Sequence, residues 1–284
     1  MTGSQDARAG WTVKALLVCL ALVALGQAAA PADASAARGE ASINEGTLET
    51  RSDVNWVAAI LNTSEGSRYE RQFCGGTLVS SRWVLTAAHC LLDEEGEVKA
   101  ASEVRVLLGT KNLNRGGRIR SVSSVRMFPG YDAASSYGDM ALLRLRYTVP
   151  YKPARLVGEG THFVGRNGYI AGWGDLRSVG SGSNSFPVLM RSAFLPIISD
   201  EFCSPHDEDF DGSVMLCAGH EDGSPDTCGG DSGGPLARKV DGRWRLAGVT
   251  SYGVPGCGSV GTYGVYAWVG SPVLRDWLRE QVGY

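Results

Sequence analysis

The sequence predicts an all-β fold of paired sheets or barrels. Among its 284 residues, 38 are glycine and only 20% are charged. Short apolar stretches of alternating polarity recur along the chain, each bounded by Gly, Ser, Asn or Asp, the residues of tight turns. Many short strands separated by turns bury their apolar faces by packing sheet on sheet or by closing a sheet on itself. The length suits one large domain or two of ordinary size.

The first segment of the chain is a targeting element. Arg8 and Lys14 precede the apolar run Ala15–Leu25, and Ala-rich sequence continues through Ala37. A basic start, a short apolar core and small residues make a secretory signal, and the run is too short to span a membrane. Cleavage after Ala30 and after Ala36 both fit; residues 1–36 are assigned to the signal and residues 37–42 to a short pro-segment. Cys19 lies inside the run after Val18, which argues against a lipid-anchored cysteine. No later stretch is apolar enough to cross a membrane, so a secreted, extracellular protein without a membrane anchor is expected.

The strands follow in order. Thr77–Leu85 reads as a strand leading into Thr86-Ala87-Ala88-His89-Cys90. Ser102–Leu108, Arg118–Phe128, Ala141–Arg146, Gly168–Ala171 and Arg245–Ser251 repeat the alternating pattern. Ser271-Pro272, followed by Val273, Leu274, Trp277 and Leu278, reads as a capped amphipathic helix closing the chain. The net charge of −3, without a basic cluster along the chain, argues against a nucleic-acid partner.

Loss of the signal removes Cys19 and leaves Cys74, Cys90, Cys203, Cys217, Cys228 and Cys257. An even count in an exported chain implies disulfides. There is no CxxC pair and the histidines are scattered, so no metal site is expected.

The chemistry centres on Gly230-Asp231-Ser232-Gly233-Gly234-Pro235. A serine that attacks a carbonyl needs an exposed hydroxyl and nearby backbone N–H groups for the oxyanion, and glycine permits both. On its own such a run is equally a Gly-rich turn. A partner base is available in His89, one of four histidines, set beside Cys90 at a strand end. Asp139 enters the apolar strand Met140–Leu145. There a carboxylate is costly to bury unless paired, and orienting an imidazole would pair it.

In the order His89, Asp139, Ser232 the chain resembles the chymotrypsin family of serine proteases, in its trypsin branch. The resemblance runs from about Ile43 to the C-terminus, through Cys74-Gly75-Gly76-Thr77-Leu78, the His89 motif, Asp139-Met140-Ala141-Leu142-Leu143, Gly172-Trp173-Gly174 and the Ser232 run. It implies two packed six-stranded antiparallel β-barrels, about 43–153 and 154–270, with the C-terminal helix docked on the second. Ser232 would be the nucleophile, His89 the general base and Asp139 its orienting carboxylate, with the N–H groups of Gly230 and Ser232 forming the oxyanion hole. The pairings implied are Cys74–Cys90, Cys203–Cys217 and Cys228–Cys257. Asp226, six residues before Ser232, would lie at the bottom of the specificity pocket, favouring Arg or Lys, between walls formed by Gly253 and Gly264. Ser251–Gly253 would pair with the substrate backbone. Polypeptide substrates and protein protease inhibitors are the implied partners of a monomer that needs no cofactor. The alternatives are a protease-like binding protein without catalysis and a serine protease of non-tryptic specificity.

Two segments depart from the pattern. Relatives are cut to free an Ile or Val amine that pairs with the Asp beside the nucleophile. Here Ile43 and Asp231 would form that pair, yet Ser42 precedes Ile43, so a protease that cuts after Arg would not release it. Asp207-Glu208-Asp209-Phe210-Asp211-Gly212 begins like a calcium loop, but Ala218 stands at the twelfth position, where an acidic ligand is required.

Overall fold

The structure is a computed structural model, and its described residues are 43, 45–176, 185–203, 207–253, 257–261 and 263–283. The signal, the pro-segment and the Ser42 side of the Ile43 junction lie outside them. In chain order the elements are β1 (Thr47–Leu48), β2 (Val57–Asn62), α1 (Arg68–Arg71), β3 (Gln72–Ser80), β4 (Trp83–Thr86), β5 (Val104–Leu108), β6 (Arg118–Met127) and β7 (Ala141–Leu145). They continue with β8 (Arg155–Leu156), β9 (Asn167–Gly172), β10 (Arg191–Ile198), α2 (Asp200–Cys203), β11 (Met215–Ala218), β12 (Pro235–Val240), β13 (Arg243–Gly253), β14 (Gly264–Trp268) and α3 (Pro272–Val282).

Strands β2, β3, β4, β7, β6 and β5 close into one antiparallel barrel. Strands β9, β10, β11, β14, β13 and β12 close into a second, because β9 pairs with β10 as well as β12. Closure removes the unpaired edges that an open sheet would leave. Leu78, Val84, Leu85, Leu107 and Leu143 fill the first barrel, while Ile170, Leu195, Ile197, Leu216 and Leu236 cluster in the second.

Three features refine the sequence expectations. Thr77–Leu85 is not one strand: β3 and β4 are joined by a turn at Ser81-Arg82, where two polar residues interrupt the apolar run. β1, in the segment expected to belong to the first barrel, pairs with β10 of the second. The third concerns α3, which buries Leu274, Trp277 and Leu278 as its spacing requires. Trp277 lies edge-on to Phe128 at 5.7 Å, and Gln281 accepts a hydrogen bond from Arg126. The helix is therefore seated against the end of β6 in the first barrel, while Arg279 pairs with Glu159 of the second half at 3.0 Å. Ser271 holds the N-cap place, but its hydroxyl makes no capping bond; Pro272 presets the first turn and Gly283 ends the helix in the left-handed region.

All three implied disulfides form: Cys74–Cys90, Cys203–Cys217 and Cys228–Cys257. Loops of this length stabilise a fold by about 3 kcal/mol each in the chain-entropy account.

Candidate active site

His89 begins a single 3₁₀ turn, His89–Leu91, directly after β4. The Cys74–Cys90 bridge ties that turn to β3. Asp139 sits just before β7 and is fully buried. Its Oδ2 is 2.7 Å from His89 Nδ1, and its Oδ1 accepts the His89 backbone N–H at 2.9 Å. An ionised carboxylate only accepts, so Nδ1 carries the proton and Nε2 is left as the acceptor. Burial raises the Asp139 carboxyl, but the His89 hydrogen bond and charge, with Ser251, bring it below the ordinary carboxylate range.

Ser251 owes its contact to a bulge in β13. Thr250 pairs with Tyr266 and Tyr252 with Val265, which leaves Ser251 as the extra residue. Bulges re-aim side chains, and here the hydroxyl donates to Asp139 Oδ2. The sequence reading assigned Ser251 to substrate pairing alone; this second contact carries no local sequence signal.

The Ser232 loop reaches the first barrel through glycine. The Gly75 N–H donates to Ser232 O at 2.7 Å. A Cβ on Gly233, whose φ is +79°, would collide with Thr86 Oγ1 and Gly75 O. Only glycine allows this approach and this backbone angle. Cys90 Sγ lies 3.6 Å from Ser232 O and 3.7 Å from His89 Nε2. The three residues thus gather around one bridge, although among the described residues Ser232 Oγ makes no hydrogen bond to His89. Such bonds are often loose without substrate. The Gly230 and Ser232 N–H groups donate to no described protein acceptor, while Gln72 Nε2 holds Gly230 O at 2.9 Å. Sequence reasoning does not reach Gln72, because nothing local marks a glutamine before Cys74 as a support for a loop 158 residues away.

Asp226 is buried beside glycine. Gly253 and Gly264 are direct partners across β13 and β14, and a Cβ on Gly264 would stand 3.3 Å from Asp226 Oδ1. The carboxylate accepts N–H groups from Thr227 at 2.7 Å and Gly258 at 3.2 Å. Burial pushes its pKa up to about 6, against the pull of those two donors. Among the described residues it forms no ion pair.

Asp231 is held by backbone donors. Its carboxylate accepts from Gly174 N at 2.8 Å and Cys228 N at 3.1 Å. Burial raises it to about 7, opposed by those two bonds and reinforced by Asp226 and Asp175. Ile43 is fully buried in the second barrel's cluster, with φ +43°. No hydrogen bond joins Ile43 to Asp231 among the described residues.

Two other clusters gather sulfur, imidazole or carboxylate groups. Cys74, His89 and Cys90 lie close together, but both sulfurs are in the disulfide, so neither is a thiolate ligand. In the acidic loop, Asp207 accepts the Tyr252 hydroxyl at 2.6 Å and the Asp209 N–H at 3.1 Å, while Asp211 accepts the Ser213 N–H. Asp209 and Asp211 thus sit in turns held by their own loop, and Asp207 also ties that loop to β13 through Tyr252.

Two closed barrels with a histidine–aspartate pair beside a Gly-flanked serine define a hydrolase of the chymotrypsin-like class. The family model described as "Trypsin" matches residues 43–278. The chain is 35% identical to trypsin 5G1 of Aedes aegypti over 223 residues, 74% of this chain and 76% of that protein. It is 30% identical to vitamin K-dependent protein C of Mus musculus over 253 residues, 85% of this chain and 52% of that protein, so it spans about half the length of that relative. The chain belongs to the trypsin family of serine proteases.

Proposed function

We propose that this protease is a secreted endopeptidase that cleaves after Arg or Lys through an acyl-enzyme. The observation that carries this reading is the buried Asp226 carboxylate, without an ion pair among the described residues, beside the facing glycines Gly253 and Gly264. A buried carboxylate is costly without a cation, and glycine walls leave room for a long side chain to reach it.

In the mechanism this supports, Ser232 Oγ bonds to the scissile carbonyl carbon while its proton passes to His89 Nε2. The Asp139 carboxylate holds the ring and stabilises the imidazolium. The oxyanion takes hydrogen bonds from the Gly230 and Ser232 N–H groups. Collapse breaks the C–N bond as His89 returns the proton to the leaving amine. Water then attacks the acyl-enzyme, giving its proton to His89, and Ser232 recovers it as the acid leaves.

Turnover of matched Arg, Lys and Phe amide substrates tests the specificity. Arg and Lys are expected to exceed Phe, and a preference for Phe would show the pocket reading wrong. The pH dependence is a sharper measure. Protonating Asp226 removes the charge that binds the substrate cation, so the Arg-to-Phe ratio of kcat/KM should fall as pH drops through about 6. The ratio cancels titration of the catalytic base, which both substrates share. A ratio independent of pH over this range would count against Asp226.

Activation is the second part of the proposal. Asp231, buried and without an ion pair among the described residues, is a carboxylate suited to a new amine, and Ile43 is already buried in the same barrel. A β-branched residue at φ +43° is strained by about 1–3 kcal/mol, which cutting before it would release. Because Ser42 precedes Ile43, the activating protease would not be one that cuts after Arg. N-terminal sequencing of the secreted, active protein is expected to begin at Ile43; another start would overturn the pairing.

The raised Asp231 value has a consequence for the uncut chain. A carboxyl whose folded pKa lies above its unfolded value contributes stability below the unfolded value and loses it as pH rises through the folded one. Thermal melts of the uncut protein should therefore show stability lost between about pH 4 and about pH 7. Asp231→Asn should reduce that loss, leaving the part that Asp226 contributes below about pH 6, and should also prevent activation. A variant with an unchanged pH profile would show that Asp231 is not the titrating group.

A further inference from the structure

A groove of about 780 Å³ lies between the barrels, at the β3–β4 turn, β8 and the β12–β13 turn. Its position follows from two strands. On β3, Gly75 contacts the Ser232 loop while Ser80 lines the groove. On β13, Ser251 contacts Asp139 while Arg243 and Arg245 line the groove. At about 3.3 Å per residue, the two strands put the groove roughly 17–20 Å along from the candidate active site.

Its charge is one-sided. Lys152, Arg155, Arg243, Arg245 and Arg275 line it, against the single carboxylate of Asp53. That carboxylate is itself held by Lys239 at 2.6 Å and by the Trp244 indole N–H at 3.1 Å. Lys152, Arg155 and Arg243 are exposed. The protein as a whole carries −3, so this concentration of cations is local. The floor is apolar, formed by Trp56, Pro153, Leu156 and Trp244, with hydroxyls of Ser80 and Ser81 at the side.

We propose that this groove docks an acidic polypeptide segment that also carries apolar side chains, independently of the active site. The cations select Asp or Glu and attract the partner over a distance. The tryptophan-lined floor takes Leu or Phe, which a sulfated glycan or a nucleic acid cannot offer. Desolvated apolar contacts ringed by charge are the usual anatomy of such a site.

The test uses the mature protein with Ser232 blocked by a fluorophosphonate, or the Ser232→Ala chain if labelling fails. Fluorescence anisotropy would follow a labelled peptide alternating Glu with Leu and Phe. Binding is expected, weakening as salt rises, and Arg155→Glu with Arg243→Glu should weaken it about 10–100-fold. Turnover of a small amide substrate by the same double variant, left unblocked, should stay unchanged, which also reports that it folds. Unchanged peptide affinity in that variant would overturn the proposal. So would equal binding of polyglutamate, heparin or a DNA duplex, because the groove would then read charge alone. Neither result bears on whether Ser232 is the nucleophile.

Discussion

Replacing Ser232 by Ala is expected to lower kcat for an Arg amide substrate by about 10⁶-fold and to abolish labelling by a fluorophosphonate. In the proposed mechanism the acyl bond forms through this hydroxyl. Its neighbours are fixed by contacts that do not involve it: Gly75 N–H holds the Ser232 carbonyl, and Gly233 is wedged against β3 and β4. The alanine chain should therefore fold with an unchanged melting temperature, so the loss reads chemistry and not stability. Labelling that persisted in the variant would end the assignment of Ser232. A wild type that neither labels nor turns over after cutting at Ile43 would favour the non-catalytic binding protein.

Asp139→Asn is expected to cost about 10⁴-fold in kcat with little change in KM. The buried carboxylate accepts three hydrogen bonds, from His89 Nδ1, the His89 backbone N–H and the Ser251 hydroxyl. An amide has one accepting oxygen and one donating nitrogen. If its nitrogen faces Nδ1, the ring must carry its proton on Nε2, where it cannot accept one from Ser232. If its oxygen faces Nδ1, the nitrogen meets the His89 N–H donor instead. Either arrangement removes the charge that stabilises the imidazolium. Ser251→Ala should have a much smaller effect, because it removes one of three donors and leaves the tautomer intact. An Asp139→Asn variant that kept full activity would show that His89 is not working through this carboxylate.

The legibility of this protein in its sequence was uneven, for physical reasons. Strands β5, β6, β7, β9 and β13 announce themselves as short apolar stretches bounded by turn residues, which is a local signal, although β7 and β9 are buried along nearly their whole length and do not alternate. The β3–β4 turn was missed because Ser81 and Arg82 are weaker turn signals than glycine or proline. The docking of α3 is only partly legible because its spacing reveals which face is apolar but not what covers it: Phe128 from the first half meets Trp277, and Glu159 from the second pairs with Arg279.

The site divides along the same line. The residue types of His89, Asp139, Asp226 and Ser232 stand in short motifs, since nucleophile, base and carboxylate each need a particular neighbourhood within a few residues. The disulfide pairings became readable only through family resemblance. Gln72 beneath Gly230, Ser251 on Asp139 and Gly75 against the Ser232 loop could not be read at all, because each joins residues more than 100 positions apart.

By itself, then, the sequence determined an all-β fold of paired sheets or barrels and the chemical groups, because periodicity and motifs are properties of neighbours; the two six-stranded barrels were implied by the family resemblance. The tertiary structure alone decided where charge accumulates. No basic cluster is visible along the chain, yet the fold brings Lys152 and Arg155, Arg243 and Arg245, and Arg275 from three separate segments to one groove. It likewise left Asp226 buried without an ion pair among the described residues. Electrostatics depends on distance and burial in space, and neither can be read from order along the chain.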